Sequence, residues 1–147
     1  MIARDVMTRA VVSVTPDVPV RQIARLLLNK GISAVPVIDS NGVPVGMVSE
    51  GDLIGRDEAA REARRDWWLA LLAEGETLSS EFLRYLRSPE SVAHEIMSTP
   101  VVTVDEKAEL GEIARLLAAH RIKRVPVVRN GRVVGVLSRA DLLRGMR

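Results

Sequence analysis

Cysteine is absent from this chain, which excludes disulfides and thiol catalysis. Aromatic residues make up only 3%, too few for the stacking platforms that hold single-stranded nucleic acid. Neither sign of charge dominates: 21 basic and 19 acidic residues leave a net charge of +2, despite a pI near 9.5. A broad polyanion-binding face is therefore disfavoured, and nucleic acid with it, while a local anion site stays open. No apolar run approaches the ~18 residues of a membrane span, and the opening "MIARDVMTRA" lacks the apolar stretch of a signal peptide. The expectation is a cytoplasmic protein without a membrane segment. Glycine-rich phosphate loops of the Walker or dinucleotide-binding type are missing. So is any nucleophile with a base and an orienting partner, which points away from an enzyme. The histidines, His94 and His120, have no companions at metal-ligand spacing, so no metal is expected.

What is present is 47% hydrophobic residues, mostly Val, Leu, Ile and Ala, arranged twice in the same order. The segment Asp5–Arg56 aligns with Glu95–Met146: Met7 matches Met97, "IARLL" occurs at Ile23–Leu27 and Ile113–Leu117, and "VPV" at Val35–Val37 and Val125–Val127. The first copy has one extra residue in its hairpin turn. Each copy reads β-α-β-β-α. "VVSV" and "VVTV" are β-branched strand runs. Val20, Ile23, Ala24, Leu27 and Leu28 form one helical face, with Gly31 suited to the helix C-terminus. Asn41-Gly42 and Asn130-Gly131 are hairpin turns. A short helix begins near Asp52 and again near Asp141.

A unit of about 50 residues buries too little surface to stand alone. The expected fold is α/β with mixed sheets, two repeats packed about a pseudo-twofold axis with related clefts between them. The expected division is repeat 1 over residues 1–56, a helical insert over 57–92 and repeat 2 over 93–147.

The strings "GMVSEGD" (Gly46–Asp52) and "GVLSRAD" (Gly135–Asp141) carry the chemistry. One reading is purely structural. S-x-x-D before a helix is a capping box, with the serine hydroxyl accepting from the N3 amide and the aspartate in the positive first turn. The other adds a ligand. Serine at a helix N-terminus can donate to a phosphate oxygen, and an aspartate one turn on can accept from two vicinal ribose hydroxyls. Gly46 and Gly135 leave room for a ligand or another backbone.

Taken whole, the doubled β-α-β-β-α unit with V-M-T at its start, h-P-V in a strand and G-h-h-S-x-x-D before the last helix resembles a tandem pair of CBS domains, a Bateman module. The resemblance implies a regulatory, signal-sensing module rather than an enzyme. It implies no required cofactor, but an adenosine-containing ligand such as AMP, ATP, NAD or S-adenosylmethionine in the clefts. Carried over, Ser138 and Asp141 meet phosphate and ribose. Lys123 and Arg124, ahead of "VPV", reach the phosphates. The base lies against the other copy, near Thr8, Ala10, Val12, Ile32 and Ala34. The second site, with Ser49 and Asp52, has Ser33 and Ala34 where the other has the basic pair, and is expected to be weaker. CBS pairs commonly form homodimers, here through the last helices.

The insert "DEAAREARRDWWLALLAEGETLSSEFLRYLRSPES" breaks the repeat. Its apolar spacing predicts a helical hairpin, and its Trp67-Trp68 pair either packs on the core or offers a protein partner a surface. The alternative function is accordingly a ligand-free dimerisation or partner-binding scaffold acting through the insert. A Trp-Trp between two CBS copies is similar to bacterial CBS proteins that continue into a BON domain. Here Arg147 closely follows the last CBS helix, so no BON domain is expected.

Overall fold

The computed structural model describes residues 1–9, 11–54 and 90–145. The insert expected over 57–92, with Trp67 and Trp68, lies outside the described residues apart from positions 90–92, as does Ala10.

The described elements run α1 (Ala3–Val6), α2 (Val20–Lys30), β1 (Ala34–Ile38), β2 (Pro44–Ser49), α3 (Glu50–Ile54), α4 (Ala93–Ile96), β3 (Val104–Asp105), α5 (Leu110–His120), β4 (Arg124–Arg129), β5 (Arg132–Ser138) and α6 (Arg139–Gly145). They divide into two compact units that cut across the sequence copies. One contains Met1–Val12, Ile38–Pro44 and Pro100–Arg147; the other contains Ser13–Val37 and Val45–Thr99.

In the first unit β3 pairs in parallel with β4, and β4 pairs antiparallel with β5. The β3–α5–β4 stretch is the crossover expected of a strand-helix-strand repeat. Asn130 (φ 52°) and Gly131 (φ 81°) both sit in left-handed backbone, as a two-residue I′ turn requires. Helix α5 buries Leu110, Ile113 and Leu117 against Val125, Val127, Leu137 and Leu142, with Ala3 and Met7 from the chain's start. Each large aliphatic side chain so buried contributes about 1.5–3 kcal/mol.

The second unit repeats the plan. Its core is Val14, Val20, Ile23, Ala24, Leu27, Leu28, Val35, Val37, Val48, Leu53 and Ala93. Helix α2 buries the face its spacing predicts and ends on Gly31 in left-handed backbone (φ 61°). The β1–β2 ribbon takes a parallel bridge from Val14 to Val37. The strand expected over residues 11–14 is thus reduced to that bridge, and residues 101–103 likewise join no ladder. Only the last residue of each β-branched run, Val14 and Val104, comes into register with the neighbouring strand.

The four-residue helices α1 and α4 were not evident from the apolar pattern, and they explain the exchange between copies. Ala3 N and Arg4 N donate to Ala108 O (2.8 Å) and Glu106 O (3.0 Å) of the second copy. Ala93 N and His94 N donate to Val18 O (2.9 Å) and Pro16 O (3.0 Å) of the first. In both helices the N3 carboxylate reaches back to the N-cap amide: Asp5 accepts from Ile2 N (2.9 Å) and Glu95 from Val92 N (3.0 Å).

Candidate nucleotide site

In the first unit the capping reading of "GVLSRAD" holds atom for atom. Ser138 N donates to Asp141 Oδ2 (2.9 Å), and Asp141 N donates to Ser138 Oγ (3.2 Å), closing a reciprocal box at the start of α6. Asp141 is 4% exposed, and its Oδ1 accepts from the Arg144 guanidinium one turn on. A carboxylate this buried is retained only with such partners.

Several other predicted residues lie in the same unit. Arg124 lies directly opposite Ser138 in the β4–β5 ladder. Lys123 is exposed, and its carbonyl accepts from Arg139 N (3.0 Å). Thr8 N donates to Val136 O (2.9 Å) and Val136 N to Thr8 O (3.0 Å), which places Thr8 beside the strand two residues before Ser138. Val12 is half-buried in the same unit. The sequence groups Thr8 and Val12 with the first copy. The structure groups them with the second, because Thr8 adds a rung to β5.

Ile32 and Ala34 are half-buried and belong to the second unit, with Ser49 and Asp52. There Ser49 N and Ser49 Oγ both donate to Asp52 Oδ2 (2.9 and 3.1 Å). The serine hydroxyl is thus a donor to Asp52, whereas the capping reading has it accept an amide. The other carboxylate oxygen, Oδ1, accepts from Ser98 Oγ (3.2 Å). Ser98 holds the place of Thr8: its N donates to Met47 O (2.8 Å), and Met47 N donates to Ser98 O (3.3 Å).

Ser98 and Arg144 are the site residues that sequence reasoning missed. Ser98 carried a signal, since it follows Met97 as Thr8 follows Met7. Arg144 had only its i+3 spacing from Asp141.

At Gly135 another backbone does approach, as expected, together with a methionine; at Gly46 the neighbour is a methionine side chain alone. A Cβ on Gly135 would strike the Met7 side chain, with Cγ at 2.9 Å, and Thr8 O at 3.0 Å. A Cβ on Gly46 would strike the Met97 side chain, with Cγ at 2.8 Å and Cβ at 3.1 Å. A methionine at the matching position of each copy, and in the first unit also a backbone carbonyl, occupies the space beside the glycine.

Among the described residues no group of His, Cys, Asp or Glu is arranged to hold a metal ion, and no helix is long and apolar enough to cross a membrane.

Comparison with known proteins agrees with this architecture. A solved structure of the CBS domain of a CBS domain-containing membrane protein from Sphaerobacter thermophilus superposes with a TM-score of 0.71 at 31% identity, covering 98% of this chain and 86% of that one. A structure of CBSX2 in complex with AMP superposes with a TM-score of 0.70 at 25% identity, covering 99% and 95%. The chloroplastic CBS domain-containing protein CBSX2 of Arabidopsis thaliana is 30% identical over 134 residues, 89% of this chain and 56% of that protein. The chain spans only 30–59% of the length of the first curated relatives it matches. The family model for the CBS domain matches residues 3–58 and again residues 92–147, and on that evidence the chain belongs to the CBS domain family and carries the domain as a tandem pair.

Proposed function

We propose that this CBS pair is a regulatory module that binds an adenosine-containing nucleotide in the AMP, ATP, NAD and S-adenosylmethionine class, using Ser138, Asp141, Arg124 and Lys123. The observation that carries this reading is the in-register pairing of Arg124 with Ser138, which is itself hydrogen-bonded to the buried Asp141. It gathers a guanidinium, a hydroxyl and a carboxylate within one short stretch of ladder and turn. That set matches a phosphate and a ribose: a guanidinium pairs with phosphate oxygens, and a carboxylate accepts from a vicinal diol. The likeness to a CBSX2 structure that contains AMP supports the same ligand class. Thr8 and Val12, in the same unit, are the residues assigned to the base. The Ser49–Asp52 pair is the second, weaker site. The module senses a ligand rather than transforming one.

Its expected form is a cytoplasmic homodimer. Leu143 on α6 is 69% exposed, and we place the seam there. Light scattering of Leu143→Glu tests this: a monomer supports the assignment, and an unchanged mass removes it.

The ligand test is thermal unfolding of wild type and Asp141→Ala against adenosine, AMP, ATP, NAD and S-adenosylmethionine. A ligand at about 100 times its dissociation constant adds about 2.7 kcal/mol, a rise of several degrees for a chain of this size. A rise in wild type that Asp141→Ala abolishes supports the site. No rise with any ligand returns both S-x-x-D strings to helix capping alone.

A further inference from the structure

The helices α1 and α4 dock by the same backbone bonds on unlike chemistry. Arg4 N donates to Glu106 O and His94 N to Pro16 O, both at 3.0 Å. In the aligned copies Arg4 stands where the other has His94, Glu106 where it has Pro16, and Arg129 where it has Asp39. The His94 ring lies 3.3 Å from Pro16 O, a contact that involves no carboxylate. The α1 contact does involve one. Glu106 is fixed on both sides by its own backbone: its N donates to Val128 O (2.9 Å), and its O accepts from Arg4 N. Its side chain is buried. Oε1 accepts from Arg129 Nε (2.9 Å), while Oε2 is sealed from water and has no partner among the described residues. A buried carboxylate oxygen normally has a donor, because nothing else replaces the hydration it gave up.

The charges of Arg129, Arg4 and Lys107 all act on Glu106. Arg129 is already committed to Oε1. Lys107 is exposed, and its amide turns to Asp105 Oδ1 (2.9 Å). Arg4 is exposed and is tethered by its amide to the Glu106 carbonyl, which keeps its side chain near that residue through any change of rotamer. Exposed side chains change rotamer within picoseconds to nanoseconds. From this arrangement we infer that α1 is a strap with a closed state, in which the Arg4 guanidinium donates to Glu106 Oε2 and completes an Arg129–Glu106–Arg4 latch. A guanidinium carries several donors in a fork that suits a carboxylate, and no backbone has to move for it to close. The latch sets how firmly residues 1–8 stay bound in the first unit, including Thr8, whose backbone pairs with Val136. Helix α4 has the same backbone seat without the latch, so it serves as an internal reference.

The test is native-state amide hydrogen exchange, read as protection factors at Ala3 and Arg4 in α1 and at Ala93 and His94 in α4. It is run on wild type, Arg4→Met, Lys107→Met, Glu106→Gln and the Arg4→Met/Glu106→Gln pair. Arg4→Met is expected to lower protection in α1 by about tenfold and to leave α4 unchanged. In the Glu106→Gln background, replacing Arg4 is expected to change α1 protection by less than about twofold. Lys107→Met is expected to leave both helices as in wild type. Equal α1 protection in wild type and Arg4→Met would overturn the inference. So would an equal loss with and without Glu106, since the effect would then not run through the carboxylate. A loss in Lys107→Met as large as in Arg4→Met would overturn it as well. If the variants lose protection in both helices at once, exchange reports global opening. The Arg4→Met/Glu106→Gln cycle in urea midpoints then decides: coupling between the two residues supports the latch, and additivity overturns it.

Discussion

Arg129 Nε donates to Glu106 Oε1 at 2.9 Å, joining the last residue of β4 to the residue that follows β3. Glu106 is 6% exposed, and its Oε2 has no hydrogen-bond partner among the described residues. The Arg129 hydrogen bond holds the Glu106 carboxyl below its ordinary range, against the opposing effect of burial. A folded-state value below the unfolded one gives stability that is present above the ordinary glutamate value of about 4.3 and is lost as pH falls through the folded value. Glu106→Gln should therefore lower the unfolding midpoint at neutral pH and flatten its decline in acid. Parallel midpoint curves for the two proteins between pH 3 and 7 would refute the linkage.

Arg121 occupies left-handed backbone (φ 54°) where the first copy has Gly31 (φ 61°). A side chain there costs about 1 kcal/mol relative to glycine, partly offset by the greater freedom of glycine in the unfolded chain. Arg121→Gly is expected to stabilise by up to about 1 kcal/mol, and Gly31→Ala to destabilise by a similar amount. Urea midpoints at equal slope measure both.

Gly46 and Gly135 face methionines, but not equivalently. At Gly46 the three nearest obstacles all belong to the Met97 side chain; at Gly135 one of them is Thr8 O. Gly46→Ala should cost about 1–3 kcal/mol and recover much of that when combined with Met97→Ala. Gly135→Ala should recover less with Met7→Ala, because a carbonyl fixed in the ladder cannot give way. A double-mutant cycle for each pair decides.

The two aspartates should respond differently to loss of charge. In Asp52→Asn the amide can keep its oxygen on Ser49 and turn its NH₂ to Ser98, whose hydroxyl is able to accept as well as donate. In Asp141→Asn the NH₂ would face the Arg144 guanidinium, which can only donate. Asp52→Asn is expected to be nearly neutral, and Asp141→Asn to cost about 1–2 kcal/mol. Equal losses in chemical denaturation would count against this assignment of partners.

Most of the fold was legible because it is written twice. The apolar face of α2, the Asn130-Gly131 turn and the S-x-x-D boxes each rest on local chemistry that one stretch of chain can announce. The tandem repeat then supplied the family. The helices α1 and α4 were not legible, since four residues hold too little periodicity to stand out. Their presence rests on amides that reach carbonyls about a hundred residues away for α1 and nearly eighty for α4. The site was legible in its residue types and less so in its grouping. Ser138 and Asp141 could be chosen as candidates from the motif and Arg124 from the family resemblance, but Thr8 comes beside their strand only because the chain's start pairs with β5. Arg144 and Ser98 went unseen because a hydrogen bond to a carboxylate leaves no pattern of its own.

The crossing of α1 into the second copy and of α4 into the first is the arrangement a domain-swapped dimer of a single copy would have after its two chains were joined end to end. In such a molecule the covalent link is not what holds the halves together; each already owns a piece of the other. A fragment carrying residues 1–56 alone would lack the Ala93 and Met97 contacts that complete its core, while its own Ala3 and Met7 would be left without a place to go. The copies are thus free to diverge in charge around their S-x-x-D turns, as Arg139 and Glu50 have, but not to part.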